Sequence, residues 1–183
     1  MDGLNTDTRV DHDGGSDELH GGAGNDNLID AAGDKTYVLT GGGTDTPSDS
    51  SGNDTYLIFS AALQAGGTLN INDGGGQGAV YFDGTRIEAS QLTQIDATHW
   101  QANDNRYSLT LGGGGLMIHA QSAPSAGHVL LQGFSNGDFG IDLTSVVTPP
   151  PAPINHAPTV LIFSQPRMRG DQAANDMNWQ YAA

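Results

Sequence analysis

One apolar residue returns every nine positions in the first part of the chain: Val10, Leu19, Leu28 and Tyr37 share a single phase. Glycine keeps the same beat at Gly15, Gly24, Gly33 and Gly42, and two positions after the first three stand Asp17, Asp26 and Lys35. Each unit therefore reads as a glycine-aspartate turn followed by a short strand with one apolar side chain. After GGGTDTPSD an extra residue enters, and the unit returns as DSSGNDTYL with Gly52, Asp54 and Tyr56 in the same roles. From about residue 60 a two-residue alternation replaces the nine-residue phase. TLNIND, RYSLTL and FGIDL put Leu69 and Ile71, then Tyr107, Leu109 and Leu111, then Phe139, Ile141 and Leu143 on one face each, which predicts half-buried strands. AVYF, LMIH and HVLL predict more deeply buried strands, with DGGGQG, DG, NDN, GGGG and SNGD as the turns between them. Short helical turns are expected only at SAALQAG (60–66) and EASQL (88–92).

The residue types of the repeat suit a cation. Glycine permits positive φ and brings carbonyl oxygens close without a Cβ in the way. Calcium takes about six to eight oxygen ligands at about 2.3 to 2.6 Å, drawn from carboxylates and main-chain carbonyls, more than one such turn supplies. Residues 21–29, GGAGNDNLI, match the nonapeptide GGxGxDxUx throughout, HDGGSDELH (12–20) and DSSGNDTYL (49–57) match it well, and DAAGDKTYV (30–38) matches it poorly. Over about residues 12–57 the chain thus resembles the RTX (repeats-in-toxin, hemolysin-type) family of calcium-binding repeats.

The resemblance implies an all-β fold that begins with a short parallel β-roll, in which successive nonapeptides go to opposite edges and turns two units apart clamp an ion. Carried onto this chain, it makes Asp13, Gly15, Asp17, Gly22, Gly24, Asp26, Asp34, Gly42, Asp45, Gly52 and Asp54 the candidate calcium ligands. The turn ending at Asp26 should stack on the turn around Gly42 and Asp45, and the turn ending at Asp17 on the one holding Lys35. At Lys35 an ammonium replaces a carboxylate. At ~4 Å and an effective dielectric constant of ~20, that opposes the ion by ~4 kcal/mol per unit of its charge. This site is expected to be weak or empty unless Lys35 swings out, with Asp30 and Asp34 compensating in part. Asp54 lies one coil further along the same edge and shares the defect.

A solvated linker would explain the glycines and acids of GGAGND but not the phase of Val10, Leu19, Leu28 and Tyr37. An EF-hand is excluded, because no DxDxDG with a following Glu exists and the chain's glutamates are Glu18 and Glu88. DHD at 11–13 could attract a transition metal, although Asp13 is more simply a turn residue.

Composition sharpens the picture. Twenty-one acidic residues against 6 basic give a formal charge of -15, which disfavours nucleic acid and anionic membrane surfaces and favours cations. Apolar residues reach only 36% and glycines number 27, so folding needs energy beyond a large core, and a bound ion could supply it. The chain has no cysteine, which removes disulfides and thiolate metal sites. No apolar run approaches the ~18 residues of a spanning helix, and MDGLNTDTRV lacks the layout of a cleavable signal.

Three regions are expected: a calcium-binding roll over 1–59, an antiparallel β-rich capping unit over 60–147, and a Pro-rich linker with a disordered tail over 148–183. A solenoid end exposes a sheet edge and an apolar face, so a cap is physically required. LLQGFSNGDFGIDL resembles, loosely, a β-motif found downstream of repeats in large secreted RTX proteins. NHAPTV resembles the lead-in to Ig-like or cadherin-like modules of bacterial surface proteins.

No catalytic centre is apparent. The histidines at 12, 20, 99, 119, 128 and 156 lack metal-pair spacing, GGGG at 112–115 has no following GK, and no GxSxG is present. Trp100 suits a core role. The expectation is a non-enzymatic module that folds on extracellular Ca2+. As the resemblance implies, it would belong to a protein secreted by type I machinery. The competing expectations are the C-terminal part of a secreted RTX lipase, protease or cytolytic toxin, and an adhesion module.

Overall fold

The computed structural model describes residues 6–10, 14–64, 66–74, 77–122 and 127–144. All belong to a compact unit spanning Met1–Pro150; a second unit, Pro151–Ala183, lies outside the described residues, and with it the Pro-rich exit, NHAPTV and the tail. The described chain is mostly β. Its strands are β1 (Thr8–Val10), β2 (Glu18–Gly21), β3 (Asn27–Ile29), β4 (Thr36–Leu39), β5 (Thr44–Asp49), β6 (Thr55–Ile58), β7 (Thr68–Asp73) and β8 (Ala79–Phe82). They continue as β9 (Thr85–Arg86), β10 (Leu92–Gln94), β11 (His99–Ala102), β12 (Tyr107–Gly112), β13 (Gly115–Ala120) and β14 (His128–Gln132). The helical turns are α1 (Ser60–Gln64) and short 3-10 turns at Ala89–Gln91 and Asp138–Gly140. No helix among the described residues is long and apolar enough to cross a membrane.

From β1 to β8 successive strands alternate between two sheets. The larger runs β1-β3-β5-β7-β14-β13-β12-β11-β10 and the smaller β2-β4-β6-β8-β9. Pairing is parallel from β1 through β7 to β14 and from β2 through β8, and antiparallel from β14 to β10 and between β8 and β9. Leu28 pairs with Arg9 and Pro47, nineteen residues to either side, and Tyr37 with Leu19 and Tyr56. Two nonapeptides therefore make about one coil, and in the smaller sheet the apolar phase residues Leu19, Tyr37 and Tyr56 land on one another. Parallel pairing continues past residue 59, since β7 lies on β5 and β8 on β6.

Three elements differ from the sequence reading. Val10 is 48% exposed: the β1–β3 register spans nineteen residues, not eighteen, so Arg9 faces Leu28 and Val10 points the other way. TDTPSD, which has no strand-like pattern, is β5, a central strand. Pro47 interrupts its pairing with β7 between Asp45–Leu69 and Ser48–Asn72, as a residue without an N–H must. FGIDL is not a strand, because Asp138–Gly140 forms a 3-10 turn with Phe139 at φ 55°.

The core is continuous from coil to cap. Tyr37 and Tyr56 stack at 5.0 Å, and Phe139 meets Tyr56 edge-on at 5.7 Å. Leu28, Leu69, Ile71, Val80 and Phe82 join them with Trp100, Leu109, Ile118 and Val129 from the antiparallel strands. Leu63 of α1 is fully buried, and Gly112–Gly115 is the hairpin between β12 and β13.

Candidate metal centre

The glycine-aspartate turns form two stacks, one at each edge of the coil. On the first, the Gly24 N–H donates to the Gly42 carbonyl at 2.9 Å and the Asp26 N–H to Asp45 Oδ1 at 3.0 Å. Asp26 Oδ1 accepts the Asp7 N–H at 2.9 Å, so each carboxylate caps the turn beside it. Two approaches admit only glycine. A Cβ on Gly41 would lie 1.6 Å from the Gly22 carbonyl oxygen, and one on Gly43, at φ +129°, 1.9 Å from that of Gly24.

Asp45 is fully buried, and its Oδ2 accepts no hydrogen bond. Burial pushes its carboxyl up to about 6, the Asp26 N–H pulls it back, and the Asp26 charge raises it further. An ionised carboxylate with one oxygen left unsatisfied in a shielded site is costly, and a cation against that oxygen would relieve the cost.

The second edge stacks the turns at 14–17, 33–35 and 52–54. A Cβ on Gly33 would stand 2.5 Å from the Gly15 carbonyl oxygen, and one on Gly52 2.3 Å from that of Gly33. The Lys35 N–H donates to Asp54 Oδ1 at 2.8 Å, and the Asn53 N–H to Asp34 Oδ1 at 2.8 Å. Lys35 does not swing out. Its Nζ donates to the Gly15 carbonyl and to Asp17 Oδ2 at 3.0 Å. Asp30 Oδ2 lies 2.9 Å from it as an ion pair outside hydrogen-bond alignment. The Lys35 and Asp30 side chains are wholly shielded, whereas that of Asp17 is 41% exposed.

Asp54 Oδ2 is buried and accepts no hydrogen bond. Burial raises the Asp54 carboxyl to about 7 against the Lys35 N–H, and the charges of Asp49, Asp73 and Asp34 add to the rise. Asp49 accepts the Tyr37 hydroxyl at 2.9 Å and Asp73 the Tyr56 hydroxyl at 3.2 Å. Burial and these carboxylates hold both phenols well above their usual range.

Of the candidate residues, Gly22, Gly24, Asp26, Gly42 and Asp45 lie on the first edge, and Gly15, Asp17, Asp34, Gly52 and Asp54 on the second; Asp13 is outside the described residues. The nine-residue phase did not single out Asp49 and Asp73, which end β5 and β7 opposite each other. The coil spacing that relates Asp30 to Asp49 was the only signal for Asp49, and Asp73, at a different offset, had none. His119 and His128, spaced unlike any metal pair in the sequence, meet on neighbouring strands with ring centres 5.8 Å apart. Burial, and then the neighbouring His128, pull the His119 imidazole below its usual value.

Every donor in the turns is oxygen. Among the described residues no three Asp, Glu, His or Cys side chains converge to hold a metal, so carbonyls such as those of Gly22 and Gly24 would complete a shell. Oxygen donors of this kind, with a shielded and unsatisfied carboxylate oxygen, fit a hard cation. The chain matches no family model, no curated protein and no solved structure.

Proposed function

We propose that this chain is a calcium-binding module of the RTX type, with a parallel β-roll as its first part. Calcium would sit at the first edge, held by Asp26, Asp45 and the carbonyls of the turns at 22–24 and 41–43. The observation that carries this reading is Asp45 Oδ2, buried and without a hydrogen bond beside a stack of carbonyl-bearing turns. The alternation of parallel strands between two sheets and the glycine-only approaches support it. When bound, the ion supplies positive charge between turns that otherwise repel. Binding energy then becomes folding energy, because the turns are rich in glycine and lose much backbone entropy on ordering.

On this reading the protein is a binding module and not an enzyme. It would be exported by type I machinery in a low-calcium, incompletely folded form and would fold outside the cell, as the resemblance implies. Affinity is expected at about 10⁻⁴ to 10⁻³ M, the range of extracellular calcium modules. Far-UV circular dichroism during a calcium titration tests it. β-signal should grow in wild type, respond far less to magnesium, and shift to higher calcium in Asp45→Ala. A flat response across millimolar calcium would remove the proposal.

A further inference from the structure

Lys35 stands in the repeat where Asp17 and Asp26 stand in theirs, and its side chain has a cation's surroundings. Three oxygens of separate origin surround Nζ: the Gly15 carbonyl, Asp17 Oδ2 and Asp30 Oδ2. The ammonium donates to the first two and is ion-paired with the third at 2.9 Å. A shielded ammonium is tolerated only when paired and hydrogen-bonded, which this one is. Two carboxylates and a main-chain carbonyl also form the oxygen set a hard divalent ion would take. The backbone of the same residue completes the tie: its N–H reaches Asp54 Oδ1, and its carbonyl accepts the Thr55 N–H at 2.8 Å. The second edge is thus joined to the turn before it and the turn after it by groups of the chain alone.

The first edge has the same backbone ties at Asp26, whose N–H reaches Asp45 Oδ1 and whose carbonyl accepts the Thr46 N–H at 2.8 Å, but it has no tethered cation among the described residues. Among the described residues, Asp26 and Asp45 take part in no ion pair.

We propose that Lys35 is a tethered cation that takes the place of a divalent ion between the turns at 14–17 and 33–35, so that the second edge depends on such an ion less than the first does. Removal of Lys35 would open, between Asp17, Asp30 and the Gly15 carbonyl, a site for a free hard divalent cation. The statement about the first edge rests on the calcium reading above; the statement about Lys35 does not.

Amide hydrogen exchange on the full chain, in chelator and in saturating calcium, tests both. The second edge is reported by the amides of Lys35, Thr36 and Thr55, which donate to Asp54 Oδ1, the Asp17 carbonyl and the Lys35 carbonyl. Gly24, Asp26 and Thr46, which donate to the Gly42 carbonyl, Asp45 Oδ1 and the Asp26 carbonyl, report the first. In chelator the second-edge amides should exchange at least about tenfold more slowly than the first-edge amides, and calcium should slow mainly the first. In Lys35→Ala the second edge should lose that lead in chelator and recover its wild-type protection with calcium.

Equal protection of the two edges in wild-type chelator samples, rising together with calcium, would overturn the proposal. So would a Lys35→Ala chain whose second edge stays as protected in chelator as wild type. If Lys35→Ala fails to fold even in calcium, the wild-type comparison of the two edges decides. A first edge indifferent to calcium would sink the calcium reading, while the second-edge amides of the two chains would still judge Lys35.

Discussion

Asp45 and Asp54 are buried acids whose folded-state values, about 6 and about 7, lie above the ordinary 3.8. A raised carboxyl value means that the folded chain holds a proton the unfolded chain has released. Their contribution is therefore intact below about pH 4 and lost as pH climbs through 6 and 7. Without calcium, the ionised carboxylates should cost about 3 kcal/mol at Asp45 and about 4 kcal/mol at Asp54 at pH 7.5. Urea unfolding in chelator should show Asp45→Asn gaining stability over wild type at pH 7.5 but not at pH 4. On the proposed calcium reading the ion would bind the ionised form, so its apparent affinity should weaken between pH 7.5 and pH 5.5, which calorimetry in buffers of different ionisation enthalpy would show as proton release. The glycines divide on equally local grounds. Gly43→Ala meets the Gly24 carbonyl at positive φ and should cost about 3 kcal/mol or more, whereas Gly114→Ala meets nothing within 4 Å and should stay within about 0.5 kcal/mol.

Among the elements, β5 shows most plainly what pattern reading omits. TDTPSD carries a proline and two aspartates and would not be chosen as a central strand on propensity. It becomes one because the coil returns there, placing Asp45 and Asp49 inside and Pro47 against Leu28. The turns and strands built on GGAGNDNLI and DSSGNDTYL were legible, since glycine, aspartate and apolar residues each have a distinct role at a fixed step. The 3-10 turn at Asp138–Gly140 was not legible. Alternation in FGIDL reports two-sidedness, and a turn that drops Phe139 onto Tyr56 satisfies it equally well. Tyr56 is therefore the joint between coil and cap. Tyr56→Ala removes its stack on Tyr37 and its edge contact with Phe139 and should cost about 3 to 5 kcal/mol, measured by chemical denaturation in calcium.

At the scale of the molecule, the strands after residue 59 finish the coil as well as cover it. β7 and β8 pair in parallel with β5 and β6, and β14 pairs in parallel with β7, so both sheets run on across that point. A chain ending at residue 59 would leave two sheet edges and the Tyr56 face bare. It should show no cooperative unfolding even in calcium, whereas a chain ending at residue 144 should unfold in one transition by heat or denaturant. The formal charge of -15 acts at this scale too, as self-repulsion that opposes compaction and that cations would screen.

The linear chain by itself determined the repeat step, the glycine positions that bring carbonyls together, and the oxygen character of the turns, because each depends on residue type at short range. Tertiary structure alone decided the register that exposes Val10 and buries Arg9's neighbour Leu28, the recruitment of TDTPSD into a sheet, and the fate of Lys35. A lysine in an aspartate's place reads as a defect along one dimension. Its ammonium becomes a partner only when folding brings Gly15, Asp17 and Asp30 around it, and that convergence is a property of three-dimensional packing.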